Sequence, residues 1–93
     1  MRVTPENLLW HELIGLRARV VRSRNRAHEG LRGRVVDETM KTLVLETPRG
    51  RRTIPKEDVV LELELPGGER VLVRGSSLVG RPEDRLKRRL RGW

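Results

Sequence analysis

The stretch from Gly30 to Lys56, GLRGRVVDETMKTLVLETPRGRRTIPK, constrains the fold more than any other part of the chain. Arg34-Val35-Val36 leads into Asp37-Glu38-Thr39, a polar turn follows, and Thr42 to Glu46 runs back. Pro48-Arg49-Gly50 then turns the chain into Arg51 to Ile54. Short β-rich runs broken by Gly, Pro and Asp at such close spacing specify an antiparallel meander. The flanking segments are left to close that meander into a barrel or to decorate it.

The flanks supply the missing strands. In the run from Leu16 to Ser23, Leu16, Ala18 and Val20 alternate with Arg17, Arg19 and Val21, giving one apolar face and one mostly basic. Further on, Val59, Leu61, Leu63 and Leu65 alternate with Val60, Glu62 and Glu64. Pro66-Gly67-Gly68 turns that strand, and Arg70 to Arg74 returns with Val71 and Val73 facing inward. Arg70 and Arg74 are expected to pair across strands with Glu62 and Glu64, so that this hairpin's charges largely cancel. A basic surface is therefore expected elsewhere.

Each end reads as a helix. Over 4–15, Thr4 is placed as N-cap, Pro5 at the first helical position, Glu6 at the positive dipole end and Gly15 as the stop. Leu8, Leu9 and Leu13 line one face of it, with Trp10 off the stripe, either covering the barrel mouth or anchoring another subunit. Over 82–91, proline and acids open a helix in which Leu86 and Leu90 stand one turn apart. Those leucines are expected to dock while Arg85, Lys87, Arg88 and the other cations project. The whole is one mainly β domain over 1–93, with the barrel over 16–75.

Charge narrows the partner. The 93 residues are 35% hydrophobic and 37% charged, which leaves a small core inside a charged shell. Twenty-one Lys and Arg against 13 Asp and Glu give +8, an excess that points to a polyanion. Genome composition or heat adaptation accounts for abundant arginine but not for the net charge. Lysine occurs only at 41, 56 and 87, and the arginine fork suits paired phosphate oxygens. Phe and Tyr are absent, so no platform for stacking single-stranded bases can be built, and phosphates and overall shape remain to be gripped. The expected phosphate contacts are the strip Arg17, Arg19, Arg22, Arg24 and Arg26, then Lys41, Arg49, Arg51, Arg52 and Lys56, with Lys87 and Arg88 on the tail. Leu8, Leu9, Trp10 and Leu13, with Leu86 and Leu90 of the tail, are the expected protein-partner surface.

Other chemistry is thin. Without cysteine there is no disulfide and no Cys-ligated zinc, which fits a reducing cytoplasm. No apolar run is long enough to cross a bilayer and the N-terminus lacks a signal-peptide pattern, so a soluble cytoplasmic protein without a membrane partner is expected. His11 and His28 have no partner at metal-ligand spacing. Asp37 and Glu38 are adjacent, so a strand aims them at opposite faces, and turn chemistry or pairing with cations is their expected role. No Ser-His-Asp set, Walker loop or dinucleotide fingerprint occurs. Catalysis by the protein alone is not expected, and an autonomous Mg²⁺-dependent nuclease is the least favoured reading.

ENLLWHELIGL (Glu6 to Leu16), RSRNRAHEGLRGRVVDETMKTLVLE (Arg22 to Glu46), TIPK (Thr53 to Lys56) and the terminal RPEDRLKRRLR together resemble the archaeal ribonuclease P protein component 1 family, related to a subunit of eukaryotic ribonuclease P and MRP. Met40 departs from that pattern, where a polar turn residue is more usual. The resemblance implies a bent antiparallel sheet closing into a small Sm-like β-barrel with short N- and C-terminal helices. It implies a non-catalytic subunit of the ribonucleoprotein that removes the 5′ leader from precursor tRNA, with the RNA subunit doing the chemistry. Its expected partners are the ribonuclease P RNA, precursor tRNA through the holoenzyme, a zinc-ribbon subunit and the other ribonuclease P proteins. No cofactor is expected on the protein, and Mg²⁺ is expected on the RNA. The alternative is a homo-oligomeric Sm-like ring acting as an RNA chaperone, since GRVVDETMKTLVL loosely echoes the Sm pattern of Gly, Asp and Met before an apolar strand.

Overall fold

Six strands follow one another: β1 (Arg17–Ser23), β2 (Arg32–Glu38), β3 (Thr42–Thr47), β4 (Gly50–Pro55), β5 (Val59–Glu64) and β6 (Arg70–Arg74). The structure, a computed structural model, describes the backbone of residues 3–91 and the side chains of residues 3–87. The strands form one antiparallel sheet in the order β4-β3-β2-β1-β5-β6. Only β5 leaves the meander, crossing to lie beside β1 after a 3-10 turn at Lys56–Asp58. The sheet is barrel-like, with β4 and β6 as its two edges. Their ends meet where Gly75 packs so close to the Lys56 carbonyl that a Cβ would fall 1.9 Å from that oxygen.

Two bulges set which side chains face in. On β1 the register shifts between Val20 and Arg22; on β2 it shifts between Val35 and Asp37. An extra residue in one strand reverses the in–out alternation beyond it. Val20 and Val35 therefore point into the core, opposite Leu61 and Leu45, while Arg22 lies opposite Val60 and stays outside. Past the second bulge Asp37 faces outward and Glu38 pairs with the buried Leu43, facing in.

Inside lie Ala18, Val20, Val35, Leu43, Leu45, Ile54, Leu61 and Leu63 from five of the strands, all nearly inaccessible to solvent. Leu8, Leu13 and Leu78 cap the core from outside the sheet. Each buried leucine contributes about 1.5–3 kcal/mol through removal from water. Gly33 lets β2 bend tightly over β3, because a Cβ there would sit 2.0 Å from the Glu46 carbonyl oxygen. A backbone atom cannot step aside as a side chain can. Gly33→Ala is expected to cost about 1–3 kcal/mol or more, read as a lower denaturant midpoint with unchanged slope; an unchanged midpoint means the bend is not fixed there.

The ends depart from the sequence expectation. Instead of a helix over 4–15, the N-terminal segment has turns and a single 3-10 helix at Leu8–Trp10. Thr4 does not cap a helix; its amide donates to Asn7 Oδ1. Leu8 and Leu13 are both buried, and five helical residues would turn them about 140° apart. Burying both in one core requires the chain to leave the helix, and Gly15, at φ 97°, then donates its N–H to the Val35 carbonyl. At the other end α1 (Pro82–Arg91) is helical, but Arg85 faces the protein and Leu86 is 41% exposed, the reverse of the expected docking. The side chains of Arg88 and Leu90, and all of Trp93, lie outside the described residues.

Candidate nucleic-acid interface

Strand register assembles the outer face of the sheet. Residues opposed across neighbouring strands project to the same side, so pairings can be followed from edge to edge. One row runs across all six strands: Arg70, Glu64, Arg17, Arg34, Glu46, Arg51. Beside it lies Leu72, Glu62, Arg19, Arg32, and next Arg74, Val60, Arg22. At the seam between β1 and β2, Arg17 stands directly opposite Arg34 and Arg19 opposite Arg32. Like charges in that relation destabilise a sheet.

The outer arginines of the long row are neutralised, and so is Arg19 at the seam. Glu64 lies 3.8 Å from Arg70, Glu46 lies 3.8 Å from Arg51, and Glu62 lies 3.5 Å from Arg19. Among the described residues, Arg17, Arg32 and Arg34 have no carboxylate within ion-pair distance. Arg34 donates to the Gly15 carbonyl, at 3.1 Å. The same residues line a shallow hollow of about 700 Å³, walled by Val36 and Pro48. A concave face with exposed guanidinium groups favours an extended anionic ligand.

Of the expected phosphate contacts, the structure brings Arg17, Arg19 and Arg22 onto this face, with Arg51 at its β4 edge. Arg24, 3.7 Å from Asp58, and Arg26 lie in the β1–β2 connection. Lys41 and Arg49 are exposed in the following turns, Arg52 points away from the row, and Lys87 is exposed on α1. From the sequence, Arg70 is expected as an ion-pair partner and not as a phosphate contact, and neither Arg32 nor Arg34 is singled out. Their signal was the basic alternation Arg32-Gly33-Arg34, which becomes meaningful only once it is set against Arg17 and Arg19. The expected cancellation within β5 and β6 holds for Arg70 and Glu64 alone: Glu62 turns to Arg19, and Arg74 is opposite Val60.

Lys56 does not belong with the phosphate contacts. It is fully buried, and its Nζ donates to Glu38 Oε2 at 2.8 Å and to the carbonyls of Thr39 at 2.7 Å and Gly80 at 2.9 Å. Arg85, 4% exposed, shares that carboxylate oxygen. Its guanidinium also donates to the carbonyls of Leu9, His11, Leu78 and Gly80. One carboxylate thus serves two buried cations, and one arginine ties α1 to the N-terminal segment and the sheet.

The expected partner surface divides likewise. Leu8 and Leu13 belong to the protein's own core and offer nothing to a partner. Leu9, Trp10 and Leu86 remain at or near the surface. Among the described residues no group of three or more His, Asp or Glu is placed to hold a metal ion. No described helix is long and apolar enough to cross a membrane.

A small curved β-sheet thus masses arginines on one concave face, three of them without a carboxylate partner among the described residues. Comparison with known proteins gives the family. Residues 6–88 match the family described as ribonuclease P/MRP, subunit p29, and the chain belongs to that family. Ribonuclease P protein component 1 of Thermofilum pendens is 52% identical over the full length of both chains. That of Methanocaldococcus jannaschii is 45% identical over 96% of this chain and 94% of its own. A solved structure described as Mth11, a homologue of human RNase P protein Rpp29, is 48% identical, with a TM-score of 0.59 over 80% of this chain and 96% of that one.

Proposed function

We propose that this protein is a non-catalytic subunit of ribonuclease P, which binds the ribonuclease P RNA through the arginine seam and supports 5′-leader removal from precursor tRNA. The observation that carries this reading is the direct opposition of Arg17 to Arg34 and of Arg19 to Arg32 on an exposed concave face. A sheet gains nothing from that arrangement by itself, whereas a phosphodiester backbone relieves it. Membership of the p29 family supports the identity of the RNA. On this reading Mg²⁺ is held by the RNA subunit, which supplies the chemistry, and the complex works in the cytoplasm. The exposed Leu9 and Leu86 with Trp10 then serve contacts with other subunits, a zinc-ribbon protein among them. A ring of identical copies is disfavoured because both edges carry charge, Arg51 and Arg52 on β4 and Arg70 and Arg74 on β6, which blunts edge pairing.

Reconstitution tests it. The ribonuclease P RNA and the other protein subunits, assayed on precursor tRNA across several Mg²⁺ concentrations, are expected to need less Mg²⁺ or to cleave faster when this protein is added. Identical rates at every Mg²⁺ concentration, or cleavage by the protein without RNA, would overturn the proposal.

A further inference from the structure

The long row across the sheet, Arg70, Glu64, Arg17, Arg34, Glu46, Arg51, reads plus, minus, plus, plus, minus, plus and is symmetric about the β1–β2 seam. Each outer arginine is held by the carboxylate between it and the seam. In the neighbouring row Glu62 holds Arg19, itself a seam arginine, from the β5 side. Strands lie about 4.8 Å apart, so the positive strip is only one strand spacing wide, with carboxylates about 14 Å apart across it. Were the face meant simply to attract anions, these three glutamates would oppose it. They also add little to stability, because exposed ion pairs of this length contribute little.

We infer that Glu46, Glu62 and Glu64 are specificity-determining residues that confine bound RNA to one sugar–phosphate backbone lying along the β1–β2 seam. The inference rests on the reading that this face meets RNA. A backbone on the seam faces Arg17, Arg32 and Arg34 unopposed. A phosphate displaced sideways by one strand meets a carboxylate and an arginine already engaged. RNA whose shape delivers a single backbone to the hollow is accepted, and RNA that would spread across the sheet is not. Removing the carboxylate charges frees Arg51 and Arg70, which widens the strip across the sheet, and frees Arg19 on the seam itself.

The test compares Glu46→Gln/Glu62→Gln/Glu64→Gln with a control of equal net charge, Glu6→Gln/Glu12→Gln/Glu57→Gln, whose positions are exposed and off the rows. Binding of the ribonuclease P RNA and of bulk tRNA competitor is measured over a range of salt. The face variant is expected to steepen the slope of log affinity against log salt by about one to three units, one per freed arginine. It is expected to reduce the preference for the ribonuclease P RNA at least about fivefold below that of the control. Glu64→Gln alone is expected to move both quantities in the same direction. A face variant that behaves as the control does, or that keeps the parent's slope and preference, overturns the inference. If the parent's own affinity does not depend on Arg17 and Arg34, it is the reading of the face as an RNA site that fails.

Discussion

Glu38→Gln is expected to remove about 3–5 kcal/mol of stability, more than loss of either cation it holds. The substitution keeps the shape of the side chain but leaves Lys56 and Arg85 buried with no counter-charge. Transfer of unpaired charge into a poorly polarisable interior is among the most expensive changes a core can suffer. Lys56→Met should cost less, because Glu38 and Arg85 still balance and Gly80's carbonyl keeps its bond to Arg85. Domains of this kind are held by about 5–15 kcal/mol in total, so the glutamine variant approaches the limit of folding. Urea unfolding at constant slope gives the comparison. A midpoint for Glu38→Gln close to the parent's, or one above that of Lys56→Met, would show that the cluster is not balanced as its geometry indicates.

The second large effect separates binding from folding. Arg17→Ala/Arg34→Ala removes two cations that face each other and have no carboxylate partner among the described residues. Affinity for the ribonuclease P RNA should fall by about tenfold or more for each, at the 1.4 kcal/mol per decade that a charge-assisted bond to phosphate readily supplies. The slope of log affinity against log salt should become shallower by about two units. Stability should hold or rise by about 0.2–1 kcal/mol, since like charges in register are being removed. Arg52→Ala, on the same sheet but off the row, should change neither slope nor midpoint appreciably. Loss of affinity in proportion to loss of stability, with the slope intact, would remove the seam from the interface.

Lys56 shows why the two kinds of cation could not be told apart in the sequence. A lysine after an isoleucine-proline pair, in a chain of net charge +8, reads as one more solvated cation. Its burial depends on carbonyls from Thr39, Met40 and Gly80 and on a carboxylate 18 residues away, which converge only after the sheet has curled. Arg85 is the same case carried further, with its carbonyl acceptors spread between residues 9 and 80. The terminal helix was legible from its proline, its first-turn acids and its leucine spacing. Which side of it docks was not, because a guanidinium prefers a cage of carbonyls to water only where such a cage exists. The N-terminal helix failed for a related reason: local capping chemistry was overruled once Leu8 and Leu13 had to enter the same core.

What the amino-acid order settled unaided was the number and direction of the strands, the turns between them and the sign of the charge, because alternation and turn chemistry act over a few residues. The family was legible for the same reason, in contiguous motifs from Glu6 to Lys56. What waited for the tertiary structure was the placing of two bulges. The bulge after Val20 keeps Arg22 outside, and the one after Val35 sends Glu38 inward in place of Asp37. Cross-strand register then opposes Arg17 to Arg34 and Arg19 to Arg32. A shift of one residue exchanges the two faces of a strand, so which charges become neighbours is decided by pairing partners far away in the chain and not by local sequence.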